Sequence, residues 1–139
     1  MVELKNALAE EFGFWQTLDR HLLAQEFENK VREERVQFIV LHGEAVGVLR
    51  WGLFWDEYPF LNLLYLTEEH RNAGIGSAVL ALWEARLREL GFALAMTSTM
   101  AEERVQGFFH LHGYQDCGCL IKTVALLIEN AELFLMKGL

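Results

Sequence analysis

The run LNLLYL (Leu61–Leu66), followed closely by HRNAGIGSAVLALWEARLREL (His70–Leu90), limits the folds open to this chain more than any other feature. The first is a short apolar run of strand character. The second becomes amphipathic at helical spacing, with Ile75, Val79, Leu82, Trp83 and Leu87 expected on its buried face. Between them lie Gly74 and Gly76, one residue apart. Glycine lets a backbone turn tightly and approach a ligand with no Cβ in the way. The N–H groups of about Asn72 to Ser77, Ala73 and Ile75 included, fall at the helix start, where four donors are unpaired and the dipole is positive. A pyrophosphate fits such a place. The same spacing also suits a plain strand-to-helix turn whose glycines only cap and pack.

Two familiar phosphate loops are excluded. A Walker A loop needs Lys before its Ser or Thr, whereas Gly76 directly precedes Ser77. A dinucleotide fingerprint needs a third glycine where Val79 stands, and antiparallel strands before the loop contradict a Rossmann first unit.

The flanking sequence places this unit in a larger order. VELKNA (Val2–Ala7) reads as a first strand, and about Leu8–Leu18 and Leu22–Glu34 read as helices, with Phe12, Trp15 and Leu18 in one stripe. VQFIVL (Val36–Leu41), the turn His42–Glu44 and AVGVLRWGLFW (Ala45–Trp55) form a hairpin. DEYP (Asp56–Pro59) turns the chain into LNLLYL as a third antiparallel strand. After the amphipathic helix come a buried strand, Phe92–Thr99, a helix of about Ala101–His112 ending at Gly113, and two closing strands around CLIKT and AELFLMK. Helix crossovers occur only in the second half. The expectation is an α/β fold of the α+β type, a mixed, mostly antiparallel central sheet flanked by helices, rather than a doubly wound sheet.

Composition bounds the rest. A length of 139 residues fits one domain over residues 1–139, and 53% hydrophobic residues suffice for a sizeable core. No apolar run approaches the ~18 residues of a membrane span; the best, TVALLIENAELFLM, is broken by Glu129 and Glu132. No basic start followed by an apolar segment suggests a secretory signal, and two cysteines make no disulfide framework. A soluble, cytoplasmic protein is expected, with no membrane partner. The net charge of -8 argues against general nucleic-acid binding. It suits a cationic partner, and equally a protein that acidity keeps soluble.

LYLTEEHRNAGIGSAVL resembles the acetyl-CoA loop of the GNAT superfamily of N-acetyltransferases, whose motif is Arg/Gln-x-x-Gly-x-Gly/Ala; Arg71, Gly74 and Gly76 fill its fixed positions. VQGFFHLHGY (Val105–Tyr114) is similar to that family's second signature, an aromatic pair followed by a short helix end, Gly and an aromatic. The element order is also the family's. The resemblance implies a GNAT-like fold and acetyl-CoA as cosubstrate, its pyrophosphate held by Arg71, Asn72, Ala73, Gly74, Ile75, Gly76 and Ser77. It further implies that the strand of Leu64–Leu66 splays from Phe92–Thr99 to admit the pantetheine. Leu64 and Leu66 would contact it through the backbone, and the Leu66 N–H would face the thioester oxygen.

Acetyl transfer to an amine requires a neutral nucleophile, yet a lysine-like amine has a pKa near ~10.4, so a group must accept its proton. Glu57, beside Asp56 in the turn, is the candidate base by its place near the family's acceptor entrance; two acidic residues in a turn are also what solvation alone would produce. Trp51, Phe54, Trp55, Tyr58 and Phe60 cluster nearby, divided between core and an aromatic acceptor pocket. The general acid of the family is often a tyrosine at the second position of the aromatic pair, and here that position is Phe109. Phenylalanine cannot donate a proton, so water, Ser98 or Tyr114 would substitute, or the chain would bind acyl-CoA without turnover. Ser98 and Phe109 are both expected beside the cofactor.

The run HLHGYQDCGC offers His110, His112, Cys117 and Cys119 as potential metal ligands. Residues two apart on a helix face opposite ways, and structural zinc sites use Cys-x2–4-Cys rather than Cys-x-Cys. No metal is expected, although a small metal-binding interaction protein is a distinct alternative. The expected partners are acetyl-CoA and an amine of a small molecule or protein. A homodimer through the C-terminal third is expected from the apolar run VALLI, residues 124–128, and from the family's habit.

Overall fold

The computed structural model describes residues 1–101, 104–123 and 131–139. Strand β1 (Val2–Asn6) leads through a 3-10 turn to helices α1 (Phe12–Leu18) and α2 (Ala24–Glu33). The meander β2 (Val36–Leu41), β3 (Glu44–Phe54) and β4 (Tyr58–Leu66) follows. Then come α3 (Ile75–Glu89), β5 (Leu94–Met100), α4 (Val105–Leu111), β6 (Gln115–Ile121) and β7 (Ala131–Gly138). Among the described residues these strands form one mixed sheet in the order β1-β2-β3-β4-β5-β7-β6. Every pairing is antiparallel except β4 with β5. The α/β fold of the α+β type read from the sequence is the one observed.

Local chemistry explains the joints. His42 (φ 52°) and Gly43 (φ 81°) form a two-residue hairpin loop whose positive φ values match the twist of β2 and β3. Gly91 (φ 91°) ends α3, where the Phe92 N–H reaches the Leu87 carbonyl at 3.0 Å and closes the last turn. Gly113 (φ 91°) does the same for α4, with the Tyr114 N–H on the Phe109 carbonyl at 3.0 Å. Both glycines occupy backbone that other residues adopt only with strain.

The sheet has two cores. On one face α3 and α4 bury Ile75, Val79, Trp83, Leu87, Phe109 and Tyr114 against Leu49, Leu61 and Leu135. On the other, α1 and α2 bury Trp15 and Phe27 against Val36, Phe38 and Val48.

Four expectations are corrected. Leu82 is exposed rather than in the core, because the buried stripe of α3 runs through Ile75, Val79, Leu80, Trp83, Glu84 and Leu87. Tyr58 and Pro59 belong to β4, not to the turn. Pro59 is tolerated because it opens the strand, before β5 begins to pair at Phe60. Phe92 precedes β5, which starts at Leu94. The fourth helix begins at Val105 rather than near Ala101, and residues 102–103 lie outside the described residues. The VALLI run, on which the dimer expectation rested, also lies outside the described residues. Among those described, no helix is long and apolar enough to cross a membrane.

Candidate active site

The parallel pair β4 and β5 meets only at Phe60–Met96 and Leu61–Thr97. There the Thr97 hydroxyl donates to the Leu61 carbonyl at 3.0 Å and fastens the last joined point. Beyond it the strands part, for reasons visible in their neighbours. Trp51 of β3 pairs with Leu61 and Arg50 with Leu63, so Asn62 is an extra residue that bends β4. Gly47 then lets β4 lie close against β3: a Cβ at that position would stand 2.1 Å from the Tyr65 carbonyl oxygen. Meanwhile β5 is held by β7 along its whole length, Leu94–Met100. One strand is drawn to β3 and the other to β7.

The slot between them is a cavity of about 670 Å³. Its lining comes from both faces of the sheet. Arg71, Asn72, Gly74, Gly76, Ser77 and Phe109 stand at the α3–α4 side. In β5, Ala95 packs into the α3–α4 core, so alternation turns Thr97 and Thr99 that way and Ser98 the other. In β7, Leu133 and Leu135 pack into the same core, so Glu132 and Phe134 face away from it. The slot therefore opens toward the glycine loop on one face and toward Asn62, Ser98 and Glu132 on the other.

At the first opening, Gly74 (φ 80°) is the N-cap of the fifteen-residue α3. A Cβ built there meets nothing within 4 Å, so the first N–H groups of α3 look onto open space. Asn72 (φ 61°) completes the turn. Arg71 is anchored by its Nε donating to the Leu66 carbonyl at 2.8 Å, with its guanidinium 5.3 Å from the centre of the Tyr65 ring. Ser77 Oγ and His112 Nε2, 2.9 Å apart, tie the start of α3 to the end of α4. Ile75 turns its side chain into the core and Ala73 is exposed, so both can serve the opening only through the backbone. Past Leu61 the β4 edge of Leu64 and Leu66 has no strand partner on the β5 side among the described residues, which leaves backbone polar groups facing the cavity. The Thr99 hydroxyl, buried in the lining, has no hydrogen-bond partner among the described residues. An anion at the loop and a thin, partly polar chain in the slot are what this arrangement can hold.

Phe109 lines the cavity at 5% exposure, edge-on to Phe108 and Tyr114. Tyr114 does not stand in for it. Its hydroxyl donates to Glu84 at 2.8 Å on the core side, and Lys137 Nζ completes that carboxylate at 2.8 Å. Burial, reinforced by Glu84, pushes the Tyr114 phenol well above its usual range, so it holds its proton. Ser98 does line the cavity, and its hydroxyl donates to Glu132 at 2.7 Å.

Glu57 is placed elsewhere. It is exposed in the β3–β4 turn with Asp56, and among the described residues it is not part of the cavity wall. The adjacent Glu57 carboxylate raises the pKa of Tyr58. The aromatic cluster divides as follows: Trp51 enters the core, while Phe54, Trp55, Tyr58 and Phe60 form a chain of rings. Phe134 joins it from β7, 5.9 Å from Phe60. Glu132 and Phe134 were missed by the sequence reading. The alternation in AELFLMK puts them on one face, but nothing local shows that β7 inserts between β5 and β6.

The His and Cys residues disperse. His110 Nε2 pairs with Asp116 at 2.6 Å while His112 turns to Ser77. Cys117 and Cys119 are exposed thiols, and desolvation together with Asp116 raises the pKa of Cys117. Among the described residues no three His, Cys, Asp or Glu side chains converge as a metal site would require.

The family model described as "Acetyltransferase (GNAT) family" matches residues 1–114. The chain is similar in fold to the ribosomal-protein-alanine N-acetyltransferase from Brucella melitensis, at 20% identity and a TM-score of 0.80, covering 99% of both chains. It also resembles a GNAT family acetyltransferase from Elizabethkingia anophelis with acetyl-CoA bound, at 11% identity and a TM-score of 0.75, covering 100% of this chain and 97% of that one. A third likeness is Arabidopsis thaliana Naa50 in complex with the bisubstrate analogue CoA-Ac-MVNAL, at 11% identity and a TM-score of 0.80, covering 99% of both. A comparison with curated protein sequences found no match. The family match takes in the bent β4, the glycine loop and the aromatic pair, and so most of the slot; the chain belongs to the acetyltransferase (GNAT) family.

Proposed function

We propose that this chain transfers an acetyl group from acetyl-CoA to a primary amine of a small molecule or protein, by direct attack in a ternary complex. The observation that carries this reading is the slot, open on both faces of the sheet, with the glycine loop at one opening only. Two reactants can enter from opposite sides and meet, and holding them together supplies much of the acceleration such a reaction needs.

In this reading the N–H groups from Asn72 to Ser77 and the Arg71 side chain take the pyrophosphate. The free edge of β4 at Leu64 and Leu66 runs beside the pantetheine, and the Leu66 N–H stabilises the oxygen on which charge develops. Ser98 and Phe109 flank the thioester. The Thr99 hydroxyl, without a hydrogen-bond partner among the described residues, and the open space before Gly74 suit such a ligand. Glu57 lies in the exposed turn outside the cavity wall, so the amine gives up its proton to water in the slot. The bond from the acetyl carbon to sulfur breaks as the bond to nitrogen forms, and the departing coenzyme A thiolate takes a proton from water. The proposed setting is the cytoplasm. Calorimetry with coenzyme A, then thiol release from acetyl-CoA across an amine panel, tests the reading. No coenzyme A binding would overturn it.

Phe109 favours a second reading, an acyl-CoA-binding module without turnover. Phe109→Tyr separates the two, since it places a phenol at the wall of the slot. In an enzyme that uses water or a hydroxyl instead, kcat is expected to stay within about threefold or to rise, given the usual contribution of a positioned acid. In a module, activity stays absent or first appears with the tyrosine. A fall of more than about tenfold, with coenzyme A binding intact, would show that Phe109 does not flank the thioester.

The chain is also proposed to form a homodimer through its C-terminal third. Among the described residues β6 is one of the two sheet edges, exposed throughout, and carries Leu120 and Ile121 on that edge. Unpaired edges with apolar side chains favour association. Light scattering across a concentration series is expected to show a dimer that Ile121→Lys converts to monomer. A wild-type monomer at every concentration would refute this.

A further inference from the structure

β7 brings a carboxylate to the slot. Glu132 lines the cavity with Asn62 and Ser98, on the face turned away from the glycine loop, with its side chain 19% exposed. One oxygen accepts from the Ser98 hydroxyl at 2.7 Å. The other faces Lys122 Nζ at 3.4 Å, a long contact that leaves the carboxylate able to accept a further donor. From β4 it is faced by the uncharged Asn62, and from β5 by Ser98 and Met100. Two residues along β7, on the same face, Phe134 lies 5.9 Å from Phe60 and 6.0 Å from Phe54, and those two rings stack at 5.7 Å. All three rings are only partly buried. The row of rings therefore starts two residues from the cavity-lining carboxylate on the same face of β7 and runs away from it over the joined part of β4 and β5, outside the cavity wall itself.

We propose that Glu132 and the Phe54–Phe60–Phe134 wall form the acceptor subsite, and that it takes a primary ammonium joined through a short linker to an aromatic ring. This rests on the acetyltransferase reading and deepens it by naming the acceptor class. A carboxylate in a narrow, partly desolvated slot attracts an ammonium far more than one in open water. The rings offer the acceptor's apolar part an edge or a face to pack on. Lys122 competes for the same carboxylate and limits the affinity. The ammonium could belong to a free arylalkylamine or to a peptide whose first residue is aromatic.

The test is titration calorimetry on the protein saturated with coenzyme A, using phenethylamine, 2-phenylethanol and ethylamine. Phenethylamine is expected to bind at least about tenfold tighter than either comparator, since each lacks one of the two recognised features. Glu132→Gln should erase the advantage of phenethylamine over 2-phenylethanol while coenzyme A affinity stays within about twofold, which shows the variant folded. Lys122→Met should act in the opposite direction and tighten phenethylamine about threefold or more, because a competing cation is gone. A Phe-Ala-Ala peptide with a free amino terminus, run in parallel, assigns the source: whichever of it and phenethylamine binds tighter is the better acceptor mimic, and either result supports the proposal. Equal binding of amine and alcohol, no binding of any probe, or an amine advantage that survives in Glu132→Gln would overturn it. Failure to bind coenzyme A in the first titration would instead overturn the acetyltransferase reading, and this proposal with it.

Discussion

Gly74→Val is expected to weaken coenzyme A binding by about a hundredfold or more, equivalent to roughly 2.7 kcal/mol. Gly74 holds φ at 80°, and the space where its Cβ would stand is open. A branched side chain would enter that space, in front of the N–H groups of Ile75, Gly76 and Ser77. It would also strain the backbone, at a cost of about 1–3 kcal/mol. The two effects are separable because α3 has a matched position at its other end. Gly91 has φ 91° and equally open surroundings, but it is not part of the cavity wall. Gly91→Val should lower stability by a similar amount and leave coenzyme A affinity unchanged. Gly76→Ala adds a third arm, since its Cβ would meet the Phe108 ring at an ordinary 3.6 Å and the fold should accept it. Calorimetry on the folded variants reads all three. Unchanged affinity in Gly74→Val would mean that the loop is only a turn.

Asp19→Ala is expected to lower stability by about 3–5 kcal/mol, the usual consequence of removing one partner of a buried ion pair. The Asp19 side chain, 1% exposed, is the C-cap residue of α1. It accepts from Arg50 Nε at 2.7 Å, Trp15 Nε1 at 3.1 Å and the His21 N–H at 3.2 Å. Without the carboxylate, a largely buried guanidinium loses its counter-charge and a fully buried indole N–H loses its acceptor. Domains of this size are stable by only about 5–15 kcal/mol, so the change is a large fraction of the total. Urea unfolding at neutral pH, with an unchanged m-value, measures it. Asp19→Ala combined with Arg50→Met should recover part of the loss, because no unpaired charge then remains. A loss below about 1 kcal/mol in the single variant would show that the pair contributes little.

The sequence legibly contained what local geometry dictates. The hairpin at His42–Gly43, the helix ends at Gly91 and Gly113, and the strand-loop-helix unit around Gly74 each depend on a few consecutive residues whose φ values only certain side chains accept. Hydrophobic period separated helix from strand, so the order of elements and the α+β character could be read directly.

Partners distant in the chain were not legible. Asp19 and Arg50, thirty-one residues apart, meet only once α1 lies on β3. Glu84 replaced Leu82 in the core because Tyr114 and Lys137 arrive from later elements to satisfy its carboxylate, which no property of α3 alone reveals. Glu57 was read as a base from its place near the family's acceptor entrance; it stands exposed in the turn and outside the cavity wall, while Glu132 reaches the slot from a strand more than seventy residues later. The slot itself has the same origin. Sequence placed an anion-seeking loop next to a strand; tertiary structure opened the space behind it, by an extra residue at Asn62 that draws β4 to β3 and by the insertion of β7 beside β5. A strand presents its side chains alternately to two faces, so a shift of one residue in register exchanges core for cavity. Register is set by neighbouring strands, and for β4, β5 and β7 those neighbours come from three separate parts of the chain.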